Sequence, residues 1–145
     1  MALRPKAALG VAAIVTLLGA AAYLRDPPWL VRVTSGLGGW ETDEAGHRYR
    51  WTRGRASFFV PADAAAVVLT MRDLKDIPAN WPVTATITID DRPGQVVRLR
   101  DGSWQEVILR LPPRANRAVR RIDVHLDRVR SRQRGIQLRD VRTMN

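Results

Sequence analysis

One stretch of alternating residues, 83–89, constrains the fold of this chain more than any other feature. Every second residue is apolar and would lie on one side of an extended strand: Val83, Ala85, Ile87 and Ile89. The threonines between them would lie on the other side. A period of two with β-branched residues predicts a half-buried antiparallel strand and not a helix.

The residues after this strand predict a turn and two further strands. D-R-P-G at 91–94 predicts the turn, because proline presets φ and glycine accepts a positive φ. The next strand, 95–100, ends at Asp101-Gly102, a dipeptide typical of hairpins. The third strand, 104–111, ends at a pair of prolines, which cannot donate to a β-ladder.

Alternating stretches on both sides of this region raise the predicted number of strands to eight. They lie at 47–52, 55–60, 65–72, 120–129 and 136–141, with a turn predicted at Arg53-Gly54 between the first two. In the last two stretches, Asp123 and Gln137 are expected to face water. Antiparallel strands with turn signals about every ten residues predict an all-β fold, a jelly-roll-type β-sandwich.

An apolar run at residues 7–24, from Ala7 to Leu24, precedes the strands, with Thr16 as its one clearly polar side chain. A helix of that length spans about 27 Å, which is enough to cross a hydrocarbon core. Two alternatives stay open. The run is a membrane anchor, with Tyr23 as an interfacial aromatic, or a cleavable signal peptide with an Ala-rich cleavage site at 20–22.

The domain organisation predicted from these features has three parts. Residues 1–25 are the anchor or signal peptide, residues 26–39 a linker, and residues 40–145 the β-sandwich. Arg4 and Lys6 precede the apolar run, so the positive-inside rule places the N-terminus in the cytoplasm and the domain outside it. The protein would cross the membrane once, or be secreted if the signal is cleaved.

The charge of the chain is strongly positive, with 24 Lys and Arg against 14 Asp and Glu and a formal net charge of +10. An excess of positive charge makes nucleic acid a candidate partner. The arginines are spread along the chain and not clustered, which favours arginine-rich codon usage as their cause, and export argues further against nucleic acid. The chain has no cysteine, which excludes disulfides and thiolate metal sites.

Six blocks across the soluble part carry a resemblance to a known class of domain. They are G-L-G-G-W-E (36–41), R-Y-R-W-T-R-G-R-A-S-F-F-V-P (48–61), I-T-I-D-D-R-P (87–93), D-G-S-W-Q-E-V-I-L-R-L-P (101–112), R-R-I-D-V (120–124) and R-G-I-Q-L (134–138). The chain resembles the jelly-roll, carbohydrate-binding-module-like β-sandwiches of bacterial envelope proteins, which are often attached to membrane glycosyltransferases. The resemblance implies the sandwich fold. This chain has one hydrophobic segment and no transferase portion, so no enzymatic activity is carried over.

Tryptophans supply the candidate ligand site, because an aromatic ring can stack on the apolar face of a sugar. Trp51 and Trp104 lie within strand patterns, which favours a role in core packing. The other candidates lie at strand edges or loops next to polar residues. The predicted ligand-binding residues are Trp40, Glu41, Asn80 and Trp81.

A run of alternating arginines near the C-terminus forms a predicted basic surface, which consists of Arg128, Arg130, Arg132 and Arg134. Alternation in a strand would place all four on one side. Two interpretations stay open: a solvated edge that discourages strand pairing, or contact with anionic lipid headgroups or an acidic envelope polymer.

The remaining polar residues indicate no catalytic site. His47 and His125 are not accompanied by a nucleophile motif, and Asp90-Asp91 fits the start of a turn. We therefore expect no enzymatic activity, no metal and no cofactor. The predicted function is a membrane-tethered extracytoplasmic β-sandwich that binds carbohydrate or an envelope polymer. The alternative is an accessory subunit that docks on a membrane envelope enzyme such as a glycosyltransferase.

Overall fold

The computed structural model describes residues 5–73, 82–113, 116–131 and 134–145. Within it the chain divides into two compact units, one ending at Leu30 and the other beginning at Val31. The first unit is helical and the second is a curled antiparallel β-sheet.

The first unit is built on one apolar helix, α1 (Pro5–Arg25). Its polar side chain, Thr16, donates its hydroxyl proton to the carbonyl of Ala12 at 2.9 Å, so the helix satisfies this group internally. Pro27 and Pro28 follow the helix, and a residue before proline is disfavoured in the α region. The helix is long and apolar enough to cross a membrane, a property that signal sequences share.

A 3-10 turn, η1 (Leu30–Arg32), lies at the boundary between the units and precedes the strands of the second unit. The strands are β1 (Thr34–Thr42), β2 (Arg48–Pro61), β3 (Ala66–Arg72), β4 (Val83–Ile89), β5 (Arg92–Leu99), β6 (Gln105–Arg110), β7 (Val119–Leu126), β8 (Gln137–Leu138) and β9 (Arg142–Met144). Their order in the sheet is β5-β4-β7-β2-β8-β3-β6, with β1 beside β2 and β9 beside β3. Every pairing between these strands is antiparallel, so the predicted all-β fold is confirmed.

The long strand β2 joins the two halves of the curled sheet. One edge of β2 pairs with β1. Residues 55–61 of β2 also pair with β7, and Arg50 and Trp51 pair with β8. Because β7 leads to β4 and β5 while β8 leads to β3 and β6, the sheet folds over and encloses the core.

The core lies between these two halves and follows the predicted alternation. Val83, Ala85, Ile87 and Ile89 of β4 are buried, whereas the threonines between them are half-buried or exposed. They pack with buried residues of β2, β3, β6 and β7 in one hydrophobic cluster. Complete burial of a side chain such as Ile87 stabilises the fold by about 1.5–3 kcal/mol.

The structure corrects two predictions about where the first strands begin and end. No turn occurs at Arg53-Gly54, because β2 passes through both residues while its two edges pair with neighbouring strands. The predicted linker, 26–39, contributes residues 34–39 to β1. Gly36 makes this pairing possible: its φ is +68°, and a Cβ on it would lie 1.9 Å from the carbonyl oxygen of Arg55.

The turns around β5 also differ from the prediction. The β4–β5 hairpin turns at Asp90 and Asp91, with φ of 51° and 64°, and Pro93 lies within β5. Asp tolerates this left-handed region, and two residues of positive φ match the twist of a tight hairpin. The turn at Asp101-Gly102 closes no hairpin, because β5 pairs with β4 and β6 pairs with β3.

Candidate functional site

A groove opens into the core between β1 and the segment that runs from β8 to β9. Its volume is about 290 Å³, close to the lower end of the size range of small-molecule sites. The floor is apolar, and polar groups stand at the rim. Its lining includes Leu37, Trp40, Arg50, Phe58, Asp140 and Thr143. We call this the Trp40 groove.

Trp40 is held in a defined position on the wall of this groove. Its side chain remains 44% exposed, although it lines the cavity. The guanidinium carbons of Arg48 and Arg50 lie 4.9 and 5.4 Å from the ring centroid. Arg50 is itself fixed, because its Nε donates to the carbonyl of Gly38 at 2.7 Å and its Nη2 to Thr34 Oγ1 at 3.3 Å. The groove therefore combines a flat apolar ring with adjacent hydrogen-bond donors.

Glu41, the neighbour of Trp40 in β1, points away from the groove. Its Oε2 accepts hydrogen bonds from the hydroxyl of Tyr49 at 3.0 Å and from Nε1 of Trp51 at 3.3 Å. Successive side chains of a strand point to opposite faces, so Trp40 and Glu41 do not share a site. The structure thus separates two residues that the sequence grouped together. The other two predicted ligand residues, Asn80 and Trp81, lie outside the described residues.

The opposite face carries a cluster of aromatic rings and arginines. Tyr49 lies between two tryptophans, with its ring centroid 6.0 Å from Trp51 and 6.4 Å from Trp104. Four guanidinium groups lie 4.3–5.9 Å from the tryptophan ring centroids: Arg72, Arg130, Arg134 and Arg139. We call this cluster of three rings and four arginines the Arg–Trp face.

Trp51 and Trp104, for which the strand pattern favours core packing, do not belong to the hydrophobic core cluster. Trp51 is only 6% exposed and Trp104 is half-buried, but both rings are covered by guanidinium groups instead of joining the hydrophobic cluster. The strand pattern alone could not reveal this, because their arginine partners come from distant parts of the chain.

Carboxylate and amide groups hold Arg72 over Trp104. Arg72 Nη2 donates to Asp43 Oδ2 at 3.2 Å, and Arg72 Nε donates to Gln137 Oε1 at 2.6 Å. Gln137 was expected to face water, but it is buried, because β8 is covered on the side of this arginine. The backbone N–H of His47 donates to Asp43 Oδ1 at 2.8 Å.

Two pKa values in this region are shifted. Burial raises the pKa of Tyr49, and its hydrogen bond to the Glu41 carboxylate raises it further. Burial alone would raise the pKa of Asp43, but the hydrogen bonds from His47 and the charge of Arg72 outweigh it, so the pKa lies below its ordinary value. The ionised carboxylate of Asp43 is therefore part of the folded structure.

The predicted basic surface does not form a ridge along a strand. Arg130 donates its backbone N–H to the carbonyl of Arg134 at 2.9 Å, so the chain turns back here. The Arg130 side chain is 9% exposed and lies 3.6 Å from Asp73, whereas Arg134 is exposed above Trp51. Arg128 lies 3.7 Å from Asp127. Arg132 lies outside the described residues.

A separate ionic network surrounds Asp123 of β7. This carboxylate was expected to face water, but it is 3% exposed. It accepts hydrogen bonds from the hydroxyl of Ser57 and from Arg121 Nε, the latter at 2.9 Å, and Arg55 approaches it to 3.6 Å. Arg121 also pairs with Asp91 in the hairpin turn. Within the described parts of the chain, no three His, Asp or Glu side chains are grouped as a metal site requires.

The solved structures to which this chain is similar include a binding module and an enzyme. A family 35 carbohydrate-binding module from an environmental isolate aligns with a TM-score of 0.53 and 13% identity, over 76% of this chain and 87% of that module. A family 43 arabinoxylan arabinofuranohydrolase from Bacillus subtilis, solved with cellotetraose, aligns with a TM-score of 0.41 and 6% identity, over 78% of this chain and 24% of the enzyme.

The second likeness is too distant to support an argument. No protein-family model matches the chain, and no curated protein matches it. The first likeness is one of fold. The chain thus has the β-sandwich fold of a carbohydrate-binding module.

Proposed function

We propose that the Trp40 groove binds carbohydrate, and that the β-sandwich is a non-catalytic binding module. The observation that carries the proposal is the exposed ring of Trp40, held on the wall of an apolar groove by two arginines. A ring in this position stacks on the apolar face of a sugar, while the adjacent guanidinium groups and Asp140 bond its hydroxyls. The likeness to a carbohydrate-binding module motivates the choice of ligand class.

We also propose that α1 tethers this module to a membrane, with the domain outside the cytoplasm. Its 21 residues span about 31 Å as a helix. Its internally bonded Thr16 hydroxyl is compatible with a hydrocarbon environment. The glycan would then belong to the cell envelope or its surroundings.

The binding test uses the full chain in detergent micelles, first on a glycan array and then by titration calorimetry with the glycan that binds best. We expect Trp40→Ala to lower the affinity for that glycan about tenfold, because a stacking ring is a dominant contact in a small site. The matched control is Trp29→Ala, since Trp29 is similarly exposed at 51% and lies outside the groove. Equal affinities of Trp40→Ala and wild type would refute the proposed site.

A second variant tests the groove without removing its ring. Thr143 is exposed and lines the groove from β9. Thr143→Phe should fill the cavity and abolish glycan binding while the thermal midpoint of unfolding stays close to that of wild type. Unchanged binding by this variant would mean that the glycan contacts another surface.

The tether is tested by fractionation, intact mass and protease treatment of spheroplasts. A full-length membrane protein whose domain is digested from outside agrees with the proposal. A shorter soluble species that begins near Tyr23 would show a cleaved signal, and a protected domain would contradict export.

The alternative function, an accessory subunit on a membrane envelope enzyme such as a glycosyltransferase, predicts a different result. A polytopic membrane enzyme would co-purify equally with wild type and with Trp40→Ala, and no glycan on the array would bind.

A further inference from the structure

We propose that the Arg–Trp face is a second binding surface, which takes a polysaccharide bearing carboxylate or sulfate groups. This inference does not depend on glycan binding at Trp40, because Arg134, the residue that tests it, does not line the Trp40 groove, although Arg139 borders both surfaces.

The carboxylates around this face are occupied by internal contacts. Glu41 accepts from Tyr49 and Trp51. Asp43 pairs with Arg72. Within the part of the chain that the structure describes, neither Arg134 nor Arg139 lies within ion-pair distance of a carboxylate. Arg134 therefore brings to this face a positive charge with no ion-pair partner among the described residues, whereas Arg139 shares a cavity with Asp140 and Glu106.

The two arginines stand at the two ends of the row of rings. Arg134 lies 5.5 Å from the centroid of Trp51, and Arg139 lies 5.6 Å from that of Trp104, with Tyr49 between the tryptophans. A guanidinium group stacked on a ring keeps its N–H edge available for bidentate pairing with a carboxylate or sulfate. An extended ligand with several anionic groups fits this spacing better than a single small anion.

The hydrogen-bonding groups of the face also favour an acceptor. Arg134 is exposed, and its guanidinium group is a donor that a ligand can reach. A guanidinium group only donates, whereas an ionised carboxylate or a sulfate accepts without donating. The face therefore matches an anionic sugar better than a neutral one, and the net charge of +10 would speed its association.

The test uses the full chain in zwitterionic nanodiscs, with alginate as the carboxylate probe, dextran sulfate as the sulfate probe and neutral dextran as the reference. We expect alginate or dextran sulfate to bind, neutral dextran to remain unbound at this face, and added salt to weaken binding. Arg134→Gln should lower the affinity for the probe that binds about fivefold, since one charge-assisted pair is lost.

The matched control is Arg128→Gln, which removes the same charge from the same segment beside Asp127. This variant should reduce the affinity less than twofold. Equal losses in Arg134→Gln and Arg128→Gln would indicate attraction by net charge alone and would overturn the proposal.

Two further outcomes separate this site from the proposed groove and from lipid. Trp40→Ala should leave binding of the anionic polysaccharide unchanged, and its loss in that variant would assign the ligand to the Trp40 groove instead. Binding to anionic phosphatidylglycerol vesicles without binding to either polysaccharide would identify a lipid surface and overturn the proposal. Failure of glycan binding at Trp40 leaves these results unaffected.

Discussion

Trp40 and Glu41 are consecutive residues of β1 whose side chains lie on opposite faces of the curled sheet. Trp40 lines the groove that opens into the core, and Glu41 bonds Tyr49 and Trp51 on the Arg–Trp face. A substitution at Trp40 therefore alters the groove, and a substitution at Glu41 alters the Arg–Trp face. Substitutions at these positions should have different effects on stability and on binding.

Glu41→Ala should destabilise the domain by about 1 kcal/mol, because it removes the acceptor of two part-buried donors. These donors are the hydroxyl of Tyr49 and the indole N–H of Trp51. Glu41→Gln keeps an acceptor oxygen and should lower the free energy of unfolding by less than Glu41→Ala does. Urea unfolding monitored by near-ultraviolet circular dichroism measures the difference. If Glu41→Ala unfolds at the wild-type urea concentration, the two hydrogen bonds do not stabilise the face.

Gly36→Ala should destabilise the domain strongly, by about 2 kcal/mol or more, since its backbone is left-handed and its Cβ would overlap the carbonyl of Arg55. Gly39 provides a control in the same strand, because a Cβ there would meet nothing within 4 Å. Thermal unfolding of both variants tests this contrast. Similar melting temperatures for the two would show that β1 does not need the close approach at Gly36.

Asp123→Ala should destabilise the domain by about 3 kcal/mol, because it removes a buried carboxylate that holds Ser57 and Arg121. Arg55→Ala removes a more exposed partner of the same carboxylate, whose side chain is 64% accessible, and should cost less than about 1 kcal/mol. Denaturant titrations of both variants give the comparison. A larger loss of stability in Arg55→Ala than in Asp123→Ala would contradict this prediction.

The stability of the domain should fall in acid, partly through Asp43. Its pKa in the folded state lies below the ordinary value of 3.8, so the unfolded state binds more protons between the two values. The contribution of this carboxylate is therefore complete above about pH 3.8 and is lost as the pH falls through the lower, folded-state pKa.

Asp43→Asn should remove this dependence: the variant is less stable than wild type at pH 7, and the difference narrows as the pH approaches 3. Unfolding free energies measured between pH 7 and pH 3 test it, with Glu44→Gln at the neighbouring exposed position as the control. A constant difference across this range would show that Asp43 acts through its shape and not its charge.

The strands and the core could be predicted from the sequence because alternation records burial at each position. Val83 to Ile89 illustrates this, since every second residue is in the core. The turns were less predictable. Pro93 and Gly94 carry the strongest local turn signal, yet the chain turns at Asp90 and Asp91, where Arg121 contacts both residues. Here contacts across the sheet outweigh local preference.

The candidate site was only partly predictable, for a similar reason. The wall position of Trp40 agrees with its placement at a strand edge, but the separation of Glu41 from it depends on the register of β1 against β2. The Arg–Trp face brings together Trp51 and Trp104, which are far apart in the chain, and arginines from three further segments. No local pattern of residues indicates such a cluster.

The pairing of β2 with strands at both ends of the chain affects the order in which the protein can fold during synthesis. The partners of β2 on its second edge, β7 and β8, begin only at Val119 and Gln137. A nascent chain that ends before Val119 therefore cannot close its sheet, and contacts between such distant residues form slowly. The closed sheet can therefore form only after almost all of the domain has been translated.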